Sequence, residues 1–252
     1  MKYFYNGLIG LLIMSSCASK EDIYYLQDAD SNAVGEFVYE SSLIQPNDIL
    51  KIFVDSSEPL STLPYNRGLQ QNTSQTLQVL QLEGYLVSSE NTINFPVLGS
   101  ISTLNYSTQG LAASIKTKLI DGGHLTDPVV IVRLLNAKVT ILGEVSSPGT
   151  YNFTEQNITL MQALGYAGDL TINGKRNDVL VTREVNGTRQ VTHIDLTSAE
   201  FMKSSFYFVK PNDVIIINPN NPKVKSAGFI GNFGNVATVI SLALSITILL
   251  TR

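Results

Sequence analysis

Apolar residues along this chain come in short runs separated by turn residues, and only twice does their spacing lengthen to a helical period. Residues 49–54, 84–87, 92–95, 129–135, 138–142, 179–182, 188–194 and 214–217 are rich in β-branched and apolar side chains and predict strands. Leu111, Ile115 and Leu119 recur every fourth position after Thr108, a candidate N-cap, and the pattern stops near Gly122-Gly123. Leu160, Ala163, Leu164 and Ala167, between Asn157 and Gly168, predict a second amphipathic helix. Each half of the chain thus receives several strands and one helix, an α+β pattern. The Gln-rich stretch 69–81 has no clear period and predicts a polar loop. A short echo, Gln45-Pro46-Asn47-Asp48-Ile49-Leu50 and Lys210-Pro211-Asn212-Asp213-Val214-Ile215, reads as one common turn used twice to deliver the chain into a strand.

The two ends have a different texture. Met1-Lys2, an apolar run over 8–14 and the small residues Ser15-Ser16 before Cys17 predict a signal peptide over 1–16, since the run is too short to span a hydrocarbon core of roughly 30 Å. Met14-Ser15-Ser16-Cys17 resembles the lipobox of bacterial lipoproteins, which implies acylation of Cys17 and a polar tether over 17–40. At the other end no charge occurs between Lys225 and Arg252. A helix over 228–251 would extend roughly 36 Å at about 1.5 Å per residue, so the pattern predicts a C-terminal transmembrane helix within 226–252. Asn232, Asn235, Thr238, Ser241 and Ser245 recur every three or four residues and form a polar stripe on it, while Thr247 falls off the stripe. In lipid such a stripe turns toward other helices or toward water, and a pore then needs several chains. The alternative is a single-pass anchor whose hydroxyls bond back to their own helix.

Composition narrows the chemistry. A net charge of -4 over 252 residues offers no basic field, which argues against nucleic acid as a partner. One cysteine rules out an internal disulfide and a Cys-based zinc site, and two histidines supply a metal or acid-base centre poorly. His124 beside Gly122-Gly123 and His193 in a predicted strand read as structural, no catalytic pair of carboxylates stands out, and neither an enzyme nor a cofactor is expected. Asp28-Ala29-Asp30-Ser31-Asn32 imitates a calcium loop, but Ala33 and Tyr39 stand where that loop needs Gly and Glu.

Longer word patterns carry a family resemblance. Pro46-Asn47-Asp48-Ile49-Leu50-Lys51-Ile52, Gly84-Tyr85-Leu86-Val87, Ile93-Asn94-Phe95-Pro96-Val97-Leu98-Gly99-Ser100-Ile101 and Asp127-Pro128-Val129-Val130 resemble, in words and order, the export domain of outer-membrane polysaccharide exporters of the Wza type. Val139-Thr140-Ile141-Leu142-Gly143-Glu144-Val145, Pro148-Gly149-Thr150-Tyr151, Thr159-Leu160-Met161-Gln162-Ala163-Leu164 and Ala167-Gly168 resemble the SLBB-type β-grasp module that follows it. The resemblance implies an export domain over 41–136 and a β-grasp domain over 137–220. It further implies a ring-forming homo-oligomer in the outer membrane, lipid-anchored at Cys17, with its folded domains in the periplasm. Its partners would be a capsular or exopolysaccharide chain in transit, outer-membrane lipid, and an inner-membrane polysaccharide co-polymerase or tyrosine kinase. Two departures stand out: Ser88-Ser89-Glu90-Asn91 occupies the place of the family's usual acidic residue and glycine, and one β-grasp module replaces the two of larger members. The rival reading is a lipid-anchored periplasmic binding or scaffold module whose β-grasp domain takes a soluble ligand or an envelope partner.

Overall fold

The computed structural model describes residues 21, 23–31, 41–66, 76–185, 187–227 and 233–250. Its described residues form two hydrophobic cores, one either side of Asn136. In the first, β1 (Ile49–Asp55) leads through a short α1 (Pro59–Thr62) and α2 (Leu77–Glu83) to β2 (Tyr85–Leu86) and the hairpin of β3 (Thr92–Phe95) with β4 (Gly99–Ser102). The long helix α3 (Thr108–Asp121) and β5 (Val129–Leu134) complete it. β1 lies between β2 and β5, antiparallel to both. Strand alternation sends Leu50, Ile52 and Val54 inward, where they join Leu111, Ile115 and Leu119 from α3 in one buried cluster. The four-residue spacing therefore marks the buried face of the helix.

Three features of this half depart from the expectations. Ser107, rather than Thr108, caps α3, its Oγ accepting from the Gly110 N–H at 3.1 Å. Either hydroxyl could do so, and the extended backbone at Ser107 decides it. The end of the predicted polar loop is helical: residues 77–83 form α2, and Gln81 Nε2 donates to the Leu135 carbonyl at 3.0 Å. A tertiary hydrogen bond secures what local period did not reveal, while 67–75 lie outside the described residues. β4 escaped the pattern because Ile101 is the lone apolar residue among its four.

The second core is built on a five-stranded sheet. β6 (Lys138–Gly143), β7 (Gly149–Asn152), β9 (Gly174–Val185), β10 (Thr188–Ile194) and β12 (Val214–Pro219) stand in the order β10-β9-β12-β6-β7. β12 runs parallel to β6 and the other pairs are antiparallel. A small ladder of β8 (Ile158–Thr159) with β11 (Phe208–Val209) leads into α4 (Leu160–Tyr166), whose Leu160, Ala163 and Leu164 are buried. Thr159 caps α4 in a reciprocal capping box with Gln162. Gly143 is required where β6 ends: its φ is +93°, and a Cβ there would come within 2.0 Å of the Ile217 carbonyl oxygen.

β9 is twelve residues long, three times the predicted run, because two of its inward positions hold arginine. Arg183 is buried against Asp213: Nη2 donates to Oδ2 at 2.7 Å and Nε to Oδ1 at 2.9 Å. Its remaining donors reach the carbonyls of Ser205 at 3.0 Å and Phe208 at 2.8 Å, and the guanidinium lies 4.4 Å from the centre of the Phe206 ring.

The echoed words fold into the same turn. Asn47 and Asn212 have φ of 70° and 68°, in the left-handed region that Asn tolerates. Asp48 Oδ2 accepts from the Gln45 N–H at 2.8 Å, and Asp213 Oδ2 accepts from the Lys210 N–H at 2.9 Å. Each turn starts a central strand, β1 or β12. Only the second aspartate meets a buried cation.

After β12 come α5 (Asn221–Ala227) and α6 (Phe233–Leu250). The expected transmembrane helix over 226–252 is corrected here: among the described residues no helix is long and apolar enough to cross a membrane. α6 has 18 residues and spans about 27 Å at 1.5 Å per residue, short of the roughly 36 Å expected for 228–251. Position 226 belongs to α5, and 228–232 and 251–252 lie outside the described residues.

Removing one member of the buried pair strands the other charge, so Asp213→Ala should lower unfolding stability by about 3–5 kcal/mol in urea titration. The double variant Arg183→Met with Asp213→Leu should recover most of that loss. A cost below about 1 kcal/mol for Asp213→Ala would show that Arg183 finds water instead.

Candidate functional site

Of the residues singled out from the sequence, Cys17 and Asn232 lie outside the described residues, and Asn235 is placed only as part of the α6 backbone. Thr238, Ser241 and Ser245 are exposed on α6 and share its polar side. Their hydroxyls turn back onto their own helix: Thr238 Oγ1 donates to the Gly234 carbonyl at 2.7 Å, Ser241 Oγ to Thr238 at 3.3 Å, and Ser245 Oγ to Ser241 at 2.8 Å. The stripe is therefore polar without being unsatisfied, and it can face water, a like helix or lipid at little cost in lost hydrogen bonds. Exposed Leu242, Ile246 and Leu249 give α6 an apolar flank beside the stripe, and Ile248 continues the line of Ser241 and Ser245.

The segment expected as a tether is docked where it is described. Residues 23–31 cross the second domain as a strap, with the Leu26 N–H donating to the Leu196 carbonyl at 3.1 Å and the Gln27 N–H to Thr197 at 2.7 Å. Asp28 accepts from the Ala199 N–H at 2.5 Å and from Ser198 Oγ at 2.7 Å, so the first aspartate of the calcium-loop imitation serves as a clamp. Tyr25 donates to Asp169 at 2.6 Å beneath the Arg176 guanidinium, 5.1 Å from its ring centre. Burial and the hydrogen bond to Asp169 push the Tyr25 phenol far above its usual range. Single-sequence reasoning missed the strap because Tyr24, Tyr25 and Leu26 are too few to show a period.

A groove of about 360 Å³ opens between the two domains. Residues 41–44, Asp48 and Arg133 form one wall, and residues 153–157 with Pro211 form the other. Gln45 Nε2 bridges the domains near it, donating to the Glu184 carbonyl at 3.1 Å. Asn136, at the junction, accepts from the Ile49 N–H and donates to the Asn47 carbonyl, both at 2.9 Å. Burial pushes the Asp48 carboxyl up to about 6, partly offset by its hydrogen bond from Gln45. This aspartate was legible only as a turn residue; its place in a groove follows from how the two domains meet.

Among the described residues no three His, Cys, Asp or Glu side chains are grouped to hold a metal ion. His193 Nδ1 pairs with Asp178 at 2.5 Å on the outer face of β9 and β10, and His124 meets the edge of Tyr65, rings 6.3 Å apart. Lys175 and His193 together hold the Asp178 carboxyl below its ordinary range. These are surface arrangements outside the groove.

Comparison with known proteins adds the missing context. Residues 38–135 match the family described as polysaccharide biosynthesis/export protein, and residues 137–217 match the SLBB domain. A relative in Ralstonia solanacearum, EPS I polysaccharide export outer membrane protein EpsA, is 26% identical over 182 residues, covering 70% of this chain and 47% of its own length. The protein of that name in Ralstonia nicotianae is 29% identical over 146 residues, covering 56% of this chain and 38% of itself. The chain spans about half or less of the length of these relatives.

The raised carboxyl of Asp48 has a signed consequence. The folded protein holds this proton more tightly than the unfolded chain, where the group titrates near 3.8, so its contribution to stability is complete below that value and is lost as pH rises through about 6. Asp48→Asn should therefore be more stable than wild type near pH 8, by at most about 3 kcal/mol, and show no such advantage near pH 4. Urea titrations of both proteins at the two pH values check this, and parallel pH dependence in the two would refute it.

Proposed function

The chain belongs to the polysaccharide biosynthesis/export family, with an SLBB domain directly after its export domain, and on that footing we propose that it is an outer-membrane lipoprotein whose copies form a ring for the passage of capsular or exopolysaccharide. The observation that carries the reading is the succession of the two domains over 38–217, each with its own folded core. Both relatives carry names of polysaccharide export outer membrane proteins, which supports the same membrane and the same cargo class. The work proposed is conduction rather than catalysis, with polymer length and energy set by an inner-membrane co-polymerase or tyrosine kinase.

Within that reading the signal peptide is 1–16, Cys17 bears the lipid, the export domain is 41–136 and the β-grasp domain is 137–220. The C-terminal segment 226–252 supplies a contact between copies. Helices α6 of neighbouring copies would pack side by side through the stripe of Thr238, Ser241 and Ser245, with Asn232 and Asn235 as its expected continuation in the sequence.

The back-bonded hydroxyls of α6 favour a second reading, a lipid-anchored scaffold or binding module whose C-terminal helix only tethers. Oligomeric state separates the two. Light scattering on the detergent-extracted full-length chain should find a stable homo-oligomer, and deletion of 228–252 in the native host should abolish surface polymer while leaving the periplasmic domains folded. A monomer in detergent, together with normal surface polymer after the deletion, would discard the ring in favour of the tether.

A further inference from the structure

The groove between the domains has the makings of a ligand site. Its volume of about 360 Å³ falls within the range of roughly 300–1,000 Å³ typical of small-molecule sites. On each wall one polar atom is unused: Ser42 Oγ from the first domain and Asn157 Nδ2 from the second are buried without a hydrogen-bond partner. A donor left in that state costs about 1–3 kcal/mol, and folded proteins retain few of them. Both residues line the groove, so a ligand entering it with matching polar groups offers the partner that each lacks. Asp48, desolvated and acceptor-only when ionised, stands on the same wall as Ser42, while Arg133 contributes donors and the buried Phe153 an apolar surface.

This set discriminates among ligands. Arg133 shares the groove with Asp48 and Glu155, so there is no cationic cluster for a phosphate, and among the described residues there is no grouping of metal ligands. A carboxylate, a guanidinium, a hydroxyl and an amide call for a neutral molecule that both donates and accepts at closely spaced points. Sugar hydroxyls do this. We infer that the interdomain groove binds one or two sugar units of the polymer in transit, held between the export domain and the β-grasp domain. The inference rests on the export reading and names a place where the polymer touches the protein.

Oligosaccharides released by partial hydrolysis of the host's own surface polysaccharide serve as the probe, with full-length protein in detergent. Saturation-transfer NMR should detect binding, and hydroxyl-radical footprinting of the wild-type protein should show saccharide-dependent protection at 41–44 and 153–157. Ser42→Ala and Asn157→Ala should each weaken binding about five- to tenfold, the loss of one buried hydrogen bond. Absence of binding, absence of protection at these segments, or undiminished affinity in both variants would overturn the groove as a site, even if deletion of the protein abolishes surface polymer. Surface polymer that survives the deletion, with groove binding intact, would instead overturn the export reading and leave the saccharide site standing.

Discussion

The buried pair of Arg183 and Asp213 is the constraint around which the second domain is arranged. A guanidinium and a carboxylate withdrawn from water are tolerable only when nearly every donor and acceptor is met, and here the fork of Arg183 spans the carboxylate and two backbone carbonyls. Those partners come from different places: the turn that starts β12, the loop before β11, and β11 itself. Satisfying one side chain therefore fixes three chain segments relative to β9. In the first domain the equivalent turn is built identically but has no buried cation, and Asp48 is left desolvated at the edge of the groove. One local motif thus yields a structural pin in one domain and a poised carboxylate in the other.

Much of this architecture was legible because local and tertiary preferences agree. β1, β3 and the buried faces of α3 and α4 are strands and helices with clean periods, and their periodic apolar positions are the ones that form the cores. Where the reading stopped short, the missing information was non-local. β9 reads as polar toward both ends because Arg176 and Arg183 occupy inward positions, which only a partner elsewhere in the chain could justify. α2 and β4 depend on a hydrogen bond to Leu135 and on hairpin pairing, neither visible in a window of a few residues. The cap of α3 fell one residue from its expected place because neighbouring Ser and Thr compete for the same role.

The functional surfaces divide along the same line. The stripe on α6 is a periodicity and was therefore visible, yet its hydroxyls prove to be internally bonded, so their spacing alone does not distinguish lumen from tether. The groove was invisible: Ser42, Asp48, Arg133 and Asn157 are scattered over 116 positions and meet only where the two domains come together, near the bridge from Gln45 to the Glu184 carbonyl. Sites assembled at a domain junction leave no local signature in a single chain.

The strap over 23–31 carries a mechanical consequence. Five residues separate Cys17 from Ile23, a reach of at most about 20 Å over the six steps, so an acyl group at Cys17 would hold the second domain on a short leash. Any pull along that leash would enter the fold through the Asp28 clamp and the backbone bonds to Leu196 and Thr197, and α5 and α6 leave the chain from the same domain. Load from both ends of the protein would then run through one body. The first domain lies outside that load path and would feel it only through the chain at Asn136 and the Gln45 bridge to Glu184.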